Sequence, residues 1–212
     1  QIADDMTRSR GARSACVGYH GYPKAICSSI NDTICHGLPK KSDRLKDGDI
    51  VNIDVTVLLN GFHGDTSAMF FVGNVSEDAK KLCQVAFDAM HVGIKAARAG
   101  AFTGDIGFAI QKLVTRAGFY PVREVGGHGI GRGFHEDPFV PSFGKKGKGS
   151  LLYKWQTITV EPMVNETSAE IREVKIPGSK VTEIMTGDGA LSAQYEHTIL
   201  ITDSDPQILT QC

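Results

Sequence analysis

The chain has 212 residues, 41% of them hydrophobic, and its 23 Lys and Arg nearly balance 24 Asp and Glu for a net charge of −1. That length suits one globular unit with a sizeable core, and the charge balance leaves no basic excess to hold a nucleic-acid backbone or an anionic membrane. The longest apolar stretches, such as residues 68–72, fall far short of the ~20 residues of a membrane helix, and five cysteines without a Cys-x-x-Cys pair argue for a reducing compartment rather than a disulfide framework.

In chain order, the first predicted elements are two strands, 50–59 and 62–72, joined at Asn60-Gly61, a dipeptide that favours a two-residue hairpin turn. With that turn Leu59 faces Phe62, Thr56 faces Asp65 and Asp54 faces Ser67. The first strand alternates, with Val51, Ile53, Val55 and Val57 on one face and Asn52, Asp54 and Thr56 on the other. A helix follows from Ser76 as N-cap, carried by Leu82, Ala86, Met90, Ile94 and Ala97 and ending at Gly100. A second runs over 103–118. Strand character returns at 124–127, 157–164, 170–175 and 195–202, and the Gly/Lys-rich stretch 144–150 reads as a loop. Strands, then helices, then strands predict an α+β fold rather than a βαβ repeat.

The hairpin register makes Asp54 and Asp65 diagonal neighbours on one face, within the ~7–8 Å over which two side chains share a ligand. Two carboxylates so placed suit metal ions, although the same pattern describes the solvent face of an ordinary hairpin. Glu161 ends an alternating run and precedes Pro162, so its strand stops or bulges there. Glu196 lies on a strand apolar enough to be central, where an inward carboxylate needs a partner or a cation. His128 stands among four glycines in Gly126-Gly-His-Gly-Ile-Gly131, a composition that lets the backbone bend tightly. His135 follows seven residues later, and His36 sits in the turn-forming stretch 34–39. No Gly-x-Gly-x-x-Gly, P-loop, His-Glu-x-x-His or Gly-x-Ser-x-Gly pattern occurs, which removes the usual nucleotide-binding, zincin and serine-hydrolase anchors. Four carboxylates and an imidazole form a hard donor set suited to a pair of Mn, Fe, Co or Zn ions. Ions ~3.5–4 Å apart can hold a bridging hydroxide and polarise a carbonyl together, so hydrolysis is the natural reaction class.

The stretches Tyr19-His-Gly-Tyr-Pro-Lys24, Cys35-His-Gly-Leu-Pro39, Asp47-Gly-Asp-Ile-Val-Asn-Ile-Asp-Val-Thr56, Gly61-Phe-His-Gly-Asp-Thr-Ser67, Gly127-His-Gly-Ile-Gly-Arg-Gly-Phe-His-Glu136, Val160-Glu-Pro-Met163 and Leu191-Ser-Ala-Gln-Tyr-Glu-His-Thr198 resemble type I methionine aminopeptidases, in order and at compatible spacings. The resemblance implies one catalytic domain over 1–212 with a pseudo-two-fold pita-bread fold, a curved antiparallel sheet covered by helices. It also implies hydrolytic removal of an initiator methionine before a small residue. By motif match, Asp54, Asp65, His128, Glu161 and Glu196 take the ligand positions for two divalent ions (Co, Mn, Fe, Zn or Ni). His135 is expected at the scissile carbonyl, His36 near the scissile nitrogen, and Glu161 as proton acceptor. Tyr19, Tyr22, Cys27 and Phe134 match positions lining the methionine pocket, and Asn52, Val55 and Ser192 match a monovalent-cation site of some members. The partner implied is the N-terminal Met of nascent chains, with a transient ribosome contact, no direct nucleic-acid or membrane binding, a monomeric state and a cytoplasmic location. The chain begins later than a full-length bacterial member, so the family's first helix is expected to be missing. Lys154-Trp-Gln-Thr157 stands where a Lys-Pro-Gly turn is usual, and within 176–190 the tryptophan that commonly closes the pocket has no counterpart. An X-Pro aminopeptidase or prolidase would share all five ligands but usually carries a further N-terminal domain. An inactive pita-bread binding protein would lack ligands that are present here.

Overall fold

The computed structural model describes residues 1–211. It opens with a short helix, α1 (Ile2–Ser9), then strands β1 (Arg13–Ser14), β2 (Cys27–Ile30), β3 (Thr33–Cys35), β4 (Ile50–Leu59) and β5 (Phe62–Phe71). Helices α2 (Glu77–Ala96) and α3 (Thr103–Arg116) follow, then β6 (Tyr120–Pro121), β7 (Gly127–Gly129), β8 (Glu136–Val140), β9 (Thr157–Val160) and β10 (Met163–Asn165). The chain closes with β11 (Ile171–Lys175), β12 (Thr182–Thr186), β13 (Ser192–Gln194), β14 (Glu196–Leu200) and β15 (Gln207–Ile208). The main sheet runs β1-β4-β5-β14-β9-β7-β8, with β2 also on β4 and β15 on β14, and its pairings are all antiparallel. Two three-stranded sheets, β13-β10-β6 and β11-β12-β3, flank it.

The β4–β5 hairpin has the expected register, with Leu59 opposite Phe62, Thr56 opposite Asp65 and Asp54 opposite Ser67. Asn60 and Gly61 take φ of 52° and 82°, the left-handed pair that turns a two-residue loop without splaying the strands. Ser76 caps α2, its hydroxyl accepting from the Ala79 N–H at 3.1 Å. The helix ends at Ala96, four residues before Gly100, because Ala97 leaves helical geometry at ψ 89°. The second helix starts where expected and ends at Arg116, and the Asp105 carboxylate accepts from the Phe102 N–H at 2.8 Å to hold its first turn. Leu82, Ala86, Met90 and Ile94 of α2 and Ile106, Ile110 and Val114 of α3 pack with Ile158, Val160, Ile199 and Ile201 into one core.

Two expectations change. The strand placed at 124–127 lies later, over Gly127–Gly129, so His128 is itself on a strand. None of the glycines between 126 and 133 has a positive φ. Their role there is close approach, not bending: a Cβ on Gly127 would lie 2.4 Å from the Thr159 carbonyl oxygen, and one on Gly129 would lie 2.2 Å from that of Asp137. The run 157–164 splits into β9 and β10 at Glu161-Pro162, the interruption that the proline implied. The second small sheet, β11-β12-β3, carries the segment around 176–190 back against the strand that precedes His36. Gly129→Ala is expected to cost about 3 kcal/mol of stability, since both clashing partners are backbone that cannot rotate away; urea denaturation measures it.

Candidate metal centre

The inward face of the hairpin is apolar at one end and polar at the other. Ile50 and Met69 join the core beneath the helices, whereas Asn52, Thr56, Asp65 and Ser67 are buried polar groups at 2%, 1%, 4% and 5% exposure. On the valine-bearing face of β4, Val51 is buried and Ile53, Val55 and Val57 are half-buried. Across the sheet, Cys27 of β2, Asp54 of β4, Ser67 of β5 and Glu196 of β14 lie in register in a single row. Asp65 sits two residues from Ser67, and Glu161 follows Val160, which pairs with His197. Strand pairing alone thus brings four carboxylates to one place, and β7, beside β9, adds His128.

A cavity of about 510 Å³ opens over this row. Its walls include the four acids and the His128 imidazole, His36 and His135, and Tyr19, Tyr22, Cys27 and Phe134. Ligand atoms of Asp65, His128 and Glu196 lie within 4.8 Å of one another. The sequence also missed wall residues: Cys16, and Lys180, Val181, Thr182 and Ile184 in the altered segment before Ala190. Cys16 carried no spacing signal, and β12 lacks the alternation that would mark it.

Three of the five donors are held from behind. Thr56 donates to Asp65 Oδ1 at 2.8 Å, and Thr198 exchanges hydrogen bonds with the Asp65 backbone. Thr159 accepts from the His128 N–H at 2.9 Å and donates to Glu161 Oε1 at 2.8 Å, while Gln194 donates to Glu161 Oε2 at 3.1 Å. His128 Nδ1 lies 2.9 Å from the Gly129 carbonyl, which can only accept. Nδ1 therefore carries the proton and Nε2 keeps its lone pair, 3.5 Å from Glu161 Oε1 and 4.0 Å from Asp65 Oδ2. His36, at φ 58°, points Nδ1 at the Thr182 carbonyl at 3.3 Å and likewise leaves Nε2 free. His135 Nδ1 lies 2.8 Å from the Tyr19 hydroxyl, with its ring 4.2 Å from that of His128.

Among the described residues no Lys or Arg forms an ion pair with any of the four acids. Burial, then the neighbouring Glu161 charge, pushes Asp54 up to about 7. Burial also pushes Glu161 up to about 7 against the hydrogen bonds it accepts. Asp65 and Glu196 are raised well above the carboxylate range, by burial first and then by the acids around them. Burial lowers His128 and His36, keeping both neutral. Asp54 Oδ1 and Glu196 Oε1 are shut off from solvent with no hydrogen-bond partner. Unpaired buried carboxylate oxygens, a neutral imidazole with a free lone pair and no competing cation fit divalent metal.

Residues 1–203 match metallopeptidase family M24. The methionine aminopeptidase of Escherichia coli strain K12 is 48% identical over 207 residues, covering 98% of this chain and 77% of that protein. The crystal structure of methionine aminopeptidase from Rickettsia prowazekii is 45% identical with a TM-score of 0.94, over 99% of this chain and 83% of that one. The X-Pro aminopeptidase of Thermotoga maritima MSB8 shares the fold at a TM-score of 0.68 and 18% identity, over 89% of this chain and 47% of that one.

Proposed function

The chain belongs to metallopeptidase family M24, and from that premise we propose that it is a pita-bread aminopeptidase removing the initiator methionine from polypeptides whose next residue is small. The observation that carries this reading is the row of buried carboxylates, two of their oxygens unpartnered, opening onto a cavity with a soft apolar wall. Asp54, Asp65, His128, Glu161 and Glu196 would hold two divalent ions. When bound, such a pair supplies Lewis acidity toward the scissile carbonyl and a nucleophile from water at neutral pH.

The chain's own groups do the rest. Tyr19, Tyr22, Cys27 and Phe134 bind the methionine side chain, whose polarisable thioether suits sulfur and aromatic walls. Glu161 takes the proton of the attacking water on a carboxylate oxygen and returns it to the leaving nitrogen. With Tyr19 donating to its Nδ1, His135 presents Nε2–H to the carbonyl oxygen and stabilises its developing charge. His36 Nε2, its lone pair free, accepts from the scissile N–H and orients the peptide. His135→Ala is expected to lower kcat about 10²- to 10³-fold with KM changed less than about threefold, the pattern of a contact made chiefly in the transition state; steady-state kinetics on a Met-Gly peptide measures it.

The reading extends to a single catalytic domain over 1–212 acting as a monomer in the cytoplasm, with a transient contact to the ribosome that presents the substrate and no direct nucleic-acid binding. The net charge of −1 supports the last point, and no helix among the described residues is long and apolar enough to cross a membrane. Asn52, whose Oδ1 is buried without a partner, would join Val55 and Ser192 in holding a monovalent cation. The deciding experiment strips the protein with chelator, reloads it anaerobically with Co, Mn, Fe, Zn or Ni in turn, and compares a Met-Gly peptide with an X-Pro peptide. Metal-dependent cleavage of Met-Gly is expected, and the same series ranks the ions. Cleavage of X-Pro alone, or of neither, overturns the reading.

A further inference from the structure

Two thiols stand together in the wall of the cavity. Strand β1 ends beside Thr56, where the Ala15 N–H donates to the Thr56 carbonyl at 2.9 Å. Strand β2 starts at Cys27 opposite Asp54, two residues along the same edge of β4. Residues 16–27 therefore leave that edge and rejoin it almost at one point. Cys16 and Cys27 pack into the same small buried cluster. Both are shielded, at 5% and 6% exposure, yet both line the cavity, with Tyr22 and Ile176 packed around them. Cys35 and Cys83 belong to other clusters and do not line it.

We propose that Cys16 and Cys27 form a site of reversible oxidation, at which a small peroxide entering by the substrate's route converts the facing thiols to a disulfide across the methionine pocket. One sulfur attacks the peroxide O–O bond, keeps one oxygen as a sulfenic acid and releases water or an alcohol. The other sulfur then displaces that oxygen as a second water, forming the S–S bond. The two thiols give up two electrons and two protons, and the peroxide takes both. The sulfurs close to about 2.05 Å, drawing two walls of the pocket together.

The change reaches the acids as well. The Cys16 thiol donates to Thr56 Oγ1 at 3.7 Å, and Thr56 donates to Asp65 Oδ1 at 2.8 Å. Cys27 stands directly opposite Asp54 in the pairing of β2 with β4. A disulfide has no S–H, so oxidation removes the thiol donor behind Thr56 and Asp65 while narrowing the space for the substrate side chain.

The test titrates purified, metal-loaded protein with hydrogen peroxide, quenches with catalase, alkylates the remaining thiols and maps the unreduced digest by tandem mass spectrometry. The first cross-link is expected to join Cys16 to Cys27 while Cys35 and Cys83 remain alkylatable. In parallel, turnover of a Met-Gly peptide falls at least tenfold and returns on adding dithiothreitol. Cys16→Ser, compared with its own untreated sample, shows no dithiothreitol-reversible loss. A first cross-link through Cys35, Cys83 or Cys212 overturns the proposal. So does conversion of the pair to sulfinic acid without a cross-link, or a cross-link that leaves turnover unchanged. The activity arm rests on the peptidase reading above and the cross-link does not. A protein that forms the cross-link but never cleaves Met-Gly therefore refutes that reading and leaves the oxidation site standing.

Discussion

Exchanging Asp54 for Asn is expected to lower kcat/KM on a Met-Gly peptide by about 10³-fold, equal to about 4 kcal/mol of transition-state stabilisation, without unfolding the protein. The exchange preserves shape but replaces one carboxylate oxygen by an NH₂ group that cannot coordinate a cation. It also removes a charge whose Oδ1 has no partner in the protein. Removing a buried charge that nothing compensates relieves a cost instead of adding one. The metal-free variant should therefore melt no lower than the metal-free parent at pH 8, even though its turnover collapses. A merely structural Asp54 gives the opposite pair of results, lower melting temperature with activity following it. Full activity in the variant contradicts the assignment outright.

Removing the metal is expected to make the protein's stability depend on pH in an unusual direction. Asp54 and Glu161 sit near 7 in the folded, metal-free protein, against about 3.9 and 4.3 for the unfolded chain. Between those values the folded state holds protons that the unfolded state has already released. Unfolding free energy therefore falls as pH rises from about 4 through about 7. One proton held over three pH units corresponds to about 4 kcal/mol, or roughly 8–16 °C in Tm for a chain of this size. With divalent metal bound, the same carboxylates are ionised and paired, and the penalty disappears. The gap in Tm between loaded and stripped protein should widen steadily from pH 5 to pH 8. Calorimetric titration near pH 6 in buffers of different ionisation enthalpy should show proton release on metal binding. A gap that stays constant across that range, or binding without proton release, counts against these carboxylates as the ligands.

The hairpin was legible because its turn fixes its register. Asn60-Gly61 permits one two-residue loop, and period-two alternation then sets which residue faces which. Asp54 and Asp65 could be placed for that reason, and alternation or apolar strand character placed Glu196 on a strand and Glu161 at the end of one. Alternation shows that residues share a face, not which face is covered. In β4 the polar face is the one turned toward the cavity, where Asp65 of β5, Glu196 of β14 and Glu161 beyond β9 meet it. The glycines around His128 were harder to read, since a glycine required for a turn and one required for close packing look alike in sequence. Only the Thr159 and Asp137 carbonyls on adjoining strands separate the two. Cys16 and the 180–184 wall depend on chain segments meeting over more than a hundred residues, which local pattern does not encode. Helix α1 has eight residues and buries none, so it had no apolar stripe to reveal it.

The row Cys27, Asp54, Ser67, Glu196 also makes the site a reporter on assembly of the sheet. Its members come from four strands, and the last of them, β14, joins β5 from the far end of the chain. A slip of one residue in any pairing would swing that strand's donor to the opposite face. Divalent cation can therefore bind tightly only once β4, β5 and β14 have found their native alignment, so binding proofreads strand order. Backbone amides of β4, β5 and β14, distant in sequence, should gain protection from hydrogen exchange together when metal is added. The amides of α1 should not respond.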